Sequence, residues 1–316
     1  MKWLFLMDPL ETIHPEKDTT YILMLAAHRA GNPVYYLPKG GIVLKDERVW
    51  FHALHVTPQN EYAHPFLSHQ WAHFSEEEVQ VVFIRTDPPF DADYLMHTWL
   101  LDRLSSSVIV MNRPSSIRMV NEKIWATQFH NLIPATLVTR HKQDALAFRK
   151  KHNTVVVKPT NGFGGSAVFV IKEGDTNFSV IFETVTQTGK YDAILQQFIP
   201  EADKGDKRIL LLNGTILGAV LRVHPEGDHR NNFFSGGKAV ATNITDRDRE
   251  IVAILAPHLQ ALGLYFVGID IIGDRLMEVN VTSPTCLQEM NRLYHLQLED
   301  TVIAFVHTLL SEKESL

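Results

Sequence analysis

Residues 267–281 read Val-Gly-Ile-Asp-Ile-Ile-Gly-Asp-Arg-Leu-Met-Glu-Val-Asn-Val, and no other segment narrows the possibilities as far. Side chains alternate between the faces of a strand, so the length of the turn decides which residues meet. A two-residue Gly273-Asp274 turn would set Ile269 opposite Glu278 and mix polar with apolar on both faces. A three-residue Gly273-Asp274-Arg275 connection sets Asp270 opposite Glu278 and Gly268 opposite Asn280. Val267, Ile269, Ile271, Met277, Val279 and Val281 then share the other face. The alternation predicts this second register, with two carboxylates and an amide on one surface and a glycine leaving room beside them. Oxygen donors grouped in this way suit Mg²⁺ shared with substrate phosphates, which makes Asp270, Glu278 and Asn280 the candidate metal ligands.

Upstream, Val155-Val-Val-Lys158-Pro is followed by Gly162-Phe-Gly164-Gly165-Ser166. A strand ending in lysine delivers a fixed cation to a sheet edge, and glycines beyond it let backbone N–H groups approach an anion without a Cβ in the way. The lysine precedes the glycines and no helix is implied after them, so neither the Walker pattern nor G-x-G-x-x-G describes the segment. Arg85, Arg208, Arg222 and Arg230 offer planar forks for carboxylates and phosphoryl groups. The aperiodic polar stretch 223–241 is longer than an ordinary connection and reads as a lid.

The first third alternates strands (Trp3–Met7, Val34–Leu37, Val81–Ile84, Val108–Met111) with helices, one capped by Asp18 or Thr19 and one by Asp91 or Asp93, as an α/β sheet does. Residues 40–75 suggest a hairpin and a polar excursion. Asn112-Arg-Pro-Ser marks a break. Beyond it the pattern predicts a helix over Glu122–Phe129, strands at Thr136–Val138, 154–158 and Ala167–Ile171, a polar helix at Gln143–Lys151, an Asn213-Gly214 hairpin, and helix from about Leu287.

With 45% hydrophobic residues, 316 residues are enough for more than one core. The balance of 30 Lys+Arg against 36 Asp+Glu, net −6, gives no global basic field for nucleic acid or anionic lipid. The apolar start Met1–Met7 is short for a signal-peptide core, and no run is long enough for a membrane span. One cysteine, Cys286, cannot form an internal disulfide and reads as a small buried side chain. The expectation is a cytoplasmic protein acting on small molecules. Among the histidines, His69 and His73, with His64 nearby, invite a metal reading but lack a third ligand.

Met7-Asp-Pro, Arg85-Thr-Asp-Pro-Pro-Phe-Asp91, Asn121-Glu-Lys123, Lys158-Pro, Gly162-Phe-Gly-Gly165, Gly205-Asp-Lys-Arg208, Phe266 to Arg275 and Glu278-Val-Asn-Val-Thr-Ser-Pro-Thr285 follow one another along nearly the whole chain. In this order they resemble the bacterial type of glutathione synthetase, in the ATP-grasp superfamily. The resemblance implies an α/β fold of the mixed α+β ATP-grasp kind: a parallel substrate-side domain over 1–121, a central lobe over 122–200, and a C-terminal lobe over 201–316 that carries the metal hairpin and the lid 223–241. It implies that Lys123 and Lys158 touch ATP phosphates, that Gly162, Gly164, Gly165 and Ser166 cover them, that Gln196, Gln197, Phe198 and Ile199 hold adenine, and that Asp206 holds the ribose. Arg208 and Lys158 would serve the transferring phosphoryl group, Arg85, Arg222, Arg230, Ser283 and Thr285 the dipeptide, and Asp270, Glu278 and Asn280 the Mg²⁺, for which Mn²⁺ can substitute. The implied reaction is ATP-dependent ligation of γ-glutamylcysteine and glycine through an acyl phosphate, in a homo-oligomer, a tetramer by resemblance. Another ATP-grasp carboxylate–amine ligase and a non-catalytic ATP-binding regulator are the rival readings. Lys238-Ala239 follows Gly236-Gly237 where Arg-Gly is the family's pattern, and the segment after Thr285 diverges as well.

Overall fold

The computed structural model describes residues 1–162, 165–224 and 237–315. The first unit runs β1 (Lys2–Leu6), α1 (Thr19–Arg29), β2 (Val34–Leu37), β3 (Ile42–Lys45), β4 (Arg48–Pro58), β5 (Phe66–Ser75), β6 (Val79–Ile84), α2 (Ala92–Leu101), β7 (Ile109–Met111) and α3 (Pro114–Met119). Its seven-stranded sheet has the order β3-β4-β2-β1-β6-β7, with β5 on β4. The strands β2, β1, β6 and β7 are parallel, and β3, β4 and β5 extend them as an antiparallel meander, so residues 40–75 form three strands rather than one hairpin. Asp18 and Asp91 cap α1 and α2 by accepting from Tyr21 N and Tyr94 N.

The middle of the chain gives β8 (Thr136–Thr139), α4 (Lys142–His152), β9 (Val155–Pro159), β10 (Phe169–Ile171), α5 (Phe178–Val185) and β11 (Ala193–Gln197), with the sheet order β10-β9-β11-β8. Then follow β12 (Asp206–Leu212), β13 (Thr215–Val223), β14 (Lys238–Val240), α6 (Asp246–Ala261), β15 (Phe266–Ile272), β16 (Arg275–Asn280), α7 (Leu287–Tyr294) and α8 (Leu298–Glu314). The third sheet has the order β14-β13-β12-β15-β16. The periodicity argument did not pick out α5, β11 or α6. The expected helix over Glu122–Phe129 is a single 3₁₀ turn at Trp125–Gln128, because the Asn121 side chain takes Lys123 N and Ile124 N in a local turn while the Glu122 side chain reaches away to Thr282, beyond the end of β16.

Apolar packing binds the first and third sheets together. Leu4, Leu6 and Val82 share one cluster with Ile209, Ile269 and Leu259, and Trp3, Phe5 and Val81 share another with Leu210, Val220, Val302 and Val306. Asn112 sits in the seam as a buried clamp: its Nδ2 donates to Phe266 O (2.8 Å) and Val281 O (2.9 Å), and its Oδ1 accepts from Phe266 N (2.8 Å). The segment that reads as a break in the sequence is thus an anchor. The central sheet has its own cluster, built from Ala145, Val155, Val157, Ile171, Phe178, Phe182, Ala193 and Leu195.

Candidate active site

Strand alternation in the central sheet separates core from cleft. Val155 and Val157 of β9, Ile171 of β10, and Ala193 and Leu195 of β11 point to α4 and α5. Val156, Lys158, Val170 and Gln196 take the opposite face and line a cleft of about 280 Å³. The facing wall comes from the third sheet: Asp206, Arg208, Arg222, Asp270, Ile272, Met277, Glu278 and Asn280.

The β15–β16 hairpin meets the expected pairing by a different route. The ladder holds Gly268 opposite Asn280 and Asp270 opposite Glu278, but the turn has two residues, with Ile272 opposite Arg275 and Ile271 opposite Leu276. A bulge between Asp270 and Ile271 skips Met277 and restores the polar register. The apolar face is corrected accordingly: Leu276 is fully buried in the core, and Met277 lines the cleft. Gly268 serves close approach, since a Cβ there would lie 3.0 Å from Pro284 Cβ and 3.2 Å from Arg208 Cδ.

Charges in the cleft pair locally. Lys123 Nζ and Lys158 Nζ both stand 3.6 Å from Glu278 Oε1, and Lys123 Nζ donates to Gly162 O at 2.6 Å, which ties it to the glycine segment. Burial pushes the Glu278 carboxyl up, but Lys123 and then Lys158 outweigh it and hold the group below its ordinary value. Burial pulls Lys158 down, against the pull of Glu278, and Lys123 adds to the fall. Arg208 forks onto Asp270, with Nη2 donating to Oδ2 at 2.8 Å. Arg222 forks onto Asp206 (2.8 and 2.5 Å) and reaches Asp270 Oδ2 at 3.0 Å. Burial alone would raise the Asp270 carboxyl. Arg208 and Arg222 reverse that and keep it far below the carboxylate range, whereas Asp206 ends above its usual value because burial outweighs Arg222.

The cleft brings together most of the residues singled out in the sequence: Lys123, Lys158, Gly162, Gly165, Ser166, Gln196, Gln197, Phe198, Ile199, Asp206, Arg208, Arg222, Asp270, Glu278, Asn280, Ser283 and Thr285 all line it. Gly164, Arg230 and residues 225–236 of the expected lid lie outside the described residues. The flanks of that lid are strand, Val223 ending β13 and Lys238–Val240 forming β14. Arg85 lines a second cavity, of about 80 Å³, that meets the cleft at Asp87, Ser283 and Thr285. In the Gln196–Ile199 stretch, Gln197 N and Phe198 N already donate to Ala135 O and Thr154 O. Gln196 Oε1 is buried with no hydrogen-bond partner among the described residues.

Asp270, Glu278 and Asn280 together offer two ionised carboxylates and an amide. Among the described residues no group of three or more His, Cys, Asp or Glu could hold a metal by itself. Such a partial shell of hard oxygens fits a cation that takes its other ligands from phosphates. His69 and His73 lie on β5, where His69 shares a hydrogen bond with Thr57 Oγ1 (2.8 Å) and His73 stacks on Trp50. Cys286 is fully buried in left-handed backbone (φ 88°) ahead of α7.

Sequence reasoning gave Glu122, Asp87 and Thr282 no role in the site and put Met277 on the core face, yet all four line the cleft. Glu122 Oε1 accepts from Val281 N (3.0 Å), Thr282 N (3.2 Å) and Thr282 Oγ1 (2.8 Å), which fastens the strand end just beyond Asn280. Its place beside Lys123 in Asn121-Glu-Lys was the available signal.

A family model described as the prokaryotic glutathione synthetase N-terminal domain matches residues 1–118, and one described as the prokaryotic glutathione synthetase ATP-grasp domain matches 122–295. A glutathione synthetase of Synechocystis sp. is 39% identical over 97% of this chain and 99% of its own length, and that of Gloeobacter violaceus is 40% identical over 96% and 95%. Among solved structures, the D-cycloserine synthetase DcsG superposes with a TM-score of 0.67 at 14% identity, over 96% of this chain and 99% of DcsG. The ATP-grasp ligase PsnB, complexed with minimal precursor, Mg and ADP, gives 0.61 at 13% identity, over 98% of each chain. The solved structures support the fold, and the relatives the rest: this chain belongs to the prokaryotic glutathione synthetase family of ATP-grasp ligases.

Proposed function

We propose that this ligase makes glutathione in the 280 Å³ cleft, with ATP between the central and C-terminal lobes and the acid and amine substrates toward Ser283–Thr285. The observation that carries the assignment of roles is the convergence of Lys123 and Lys158 on Glu278, beside Arg208 and Arg222 on Asp270. Adenine sits against Val156, Val170 and Met277, with the unpartnered Gln196 Oε1 accepting from its amino group and Asp206 near the ribose. Lys123 and Lys158 hold the phosphate chain, and Gly162, Gly165 and Ser166, together with Gly164, cover it.

Asp270, Glu278 and Asn280 would hold Mg²⁺, or Mn²⁺ in its place, and a divalent cation there would neutralise phosphate charge. The cysteinyl carboxylate of γ-glutamylcysteine attacks the γ-phosphorus, giving an acyl phosphate and ADP. Arg208 is placed to neutralise the transferring group. The glycine amine then attacks the acyl carbon, the amide forms, and phosphate leaves. Arg222, Arg85 and Arg230 belong on the substrate side, and Arg222 must exchange one of its present carboxylates for a substrate group to act there.

We divide the chain at 121 and 200 into a substrate-side unit and two ATP-grasp lobes, in a cytoplasmic homo-oligomer that the resemblance makes a tetramer. No described helix is long and apolar enough to cross a membrane. Incubation with ATP, Mg²⁺, γ-glutamylcysteine and glycine should yield glutathione and one phosphate per turnover. Phosphate release that ignores which amine is supplied would overturn the glycine assignment.

A further inference from the structure

Residues 121–123 join two walls of the cleft that a bound nucleotide would have to bridge. On one side they hold the glycine segment: Asn121 Nδ2 donates to Thr160 O (3.3 Å) and Lys123 Nζ to Gly162 O (2.6 Å). On the other they hold the end of β16. Val279 N donates to Glu122 O (2.9 Å), and Glu122 Oε1 accepts from Val281 N (3.0 Å), Thr282 N (3.2 Å) and Thr282 Oγ1 (2.8 Å). Asn280 lies between these attachments, and Glu278 immediately precedes the first of them.

Among the described residues β16 is the last strand of its sheet, so no strand pairs with its outer edge. Glu122 takes that place, with its main chain for Val279 and its side chain for Val281. Val281 is fully buried, and without the carboxylate its N–H would lose its partner away from water. The strand end beyond Asn280 would then shift to recover one. A carboxylate that accepts three hydrogen bonds is an anchor of the stronger, charge-assisted kind. Glu122 and Lys123 are also chain neighbours, with Cα atoms about 3.8 Å apart across a trans peptide. One peptide therefore fixes the spacing between the lysine that grips the glycine segment and the strand that carries Glu278 and Asn280. A cation shared between those oxygens and phosphates tolerates little error in that spacing, because Mg²⁺ demands near-ideal octahedral geometry.

From this juxtaposition we infer that Glu122 is a positioning residue for the divalent cation. It acts through Glu278 and Asn280 rather than by ligation: it registers β16 to Lys123, and so sets how tightly the cation is held once the nucleotide is in place. The inference rests on the assignment of Asp270, Glu278 and Asn280 to that cation and adds the residue that sets their distance from the phosphate grip.

The test titrates Mn²⁺, followed by the loss of its free paramagnetic-resonance signal, into the enzyme with saturating ADP and neither acid nor amine substrate. Residues that hold metal ligands in place carry roughly 10- to 100-fold in affinity, so Glu122→Ala should raise the Mn²⁺ Kd by about tenfold or more. Binding of metal-free ADP should not change. Glu122→Gln keeps an acceptor at Oε1 and should recover most of the loss. Thr282→Val removes one of the three donors and should shift the Mn²⁺ Kd the same way by a smaller factor; it decides the matter if Glu122→Ala does not fold. In glutathione synthesis the half-saturating Mg²⁺ should rise in parallel, with KM for γ-glutamylcysteine unchanged. An unaltered Mn²⁺ Kd in Glu122→Ala would overturn the inference while leaving the metal assignment intact. So would a Glu122→Gln as weak as Glu122→Ala, which would mark a role through charge, or an equal loss of metal-free ADP binding, which would mark a cleft that has merely lost its shape. No Mn²⁺ binding by the unmodified enzyme with ADP would defeat the metal assignment and the inference with it.

Discussion

Glu278 faces two lysine ammoniums at 3.6 Å, and this arrangement serves stability and turnover differently. Replacing it by Gln keeps the volume and removes the charge that holds Lys123 and Lys158 together. Phosphate release should fall by about 100-fold or more, as for lost electrostatic groups in other enzymes, while circular dichroism shows the same fold; near-normal turnover would remove Glu278 from the metal set. Stability should respond to acid with a definite sign. The folded state holds the Glu278 and Asp270 carboxyls below their ordinary values, so each contributes fully above the unfolded value of roughly 4 and loses that contribution as pH falls toward the folded value. Denaturant midpoints should therefore drop between about pH 5 and pH 3, less steeply in Glu278→Gln than in the unmodified chain. Asp270→Asn is expected to be harsher, because two buried guanidiniums lose their shared carboxylate, a loss of about 3–5 kcal/mol for pairs of this kind.

At the scale of elements, the bulge in the β15–β16 hairpin makes a prediction that strict alternation gets backwards. Leu276→Ala empties a fully buried site and should cost about 2–5 kcal/mol. Met277→Ala, in the cleft wall, should leave the unfolding midpoint within about 1 kcal/mol and raise KM for ATP. Thermal melts and steady-state kinetics on the two variants decide it. The same hairpin shows what the sequence can and cannot carry. The polar pairing was legible because only one register collects Asp270, Glu278 and Asn280, but a bulge and a longer turn produce the same facing pairs, and residue order alone does not separate them. Strands β2 and β9 and caps such as Asp18 were readable from local patterning. The helix α6 was not, for its apolar residues are interrupted by charges and by Pro257, and its burial depends on strands from both ends of the chain. Arg222 could be singled out in the sequence, but not its salt bridges, because Asp206 becomes its neighbour only through the β12–β13 ladder.

For the whole molecule, the distribution of apolar clusters predicts two melting units. The first and third sheets share cores across the chain, while the central lobe relies on one small cluster around Phe178 and Phe182. Calorimetry should show the central lobe unfolding first, and Phe182→Ala should lower that transition alone by about 3–5 kcal/mol. Because ATP would be held between this lobe and the rest, nucleotide at about 100 times its Kd should bring the transitions together, adding about 2.7 kcal/mol to the weaker one. A single transition unaffected by nucleotide would contradict this arrangement. The ion pairs of the cleft have a further consequence for how the nucleotide is drawn from solution. With Lys123, Lys158, Arg208 and Arg222 already matched to Glu278, Asp270 and Asp206, the described cleft projects little bare charge, in a molecule whose net charge is −6. Binding is then a short-range exchange of partners rather than long-range attraction. Ionic strength, which weakens only fields reaching beyond about 10 Å at ~0.1 M salt, should leave the association rate for magnesium-bound ATP almost unchanged.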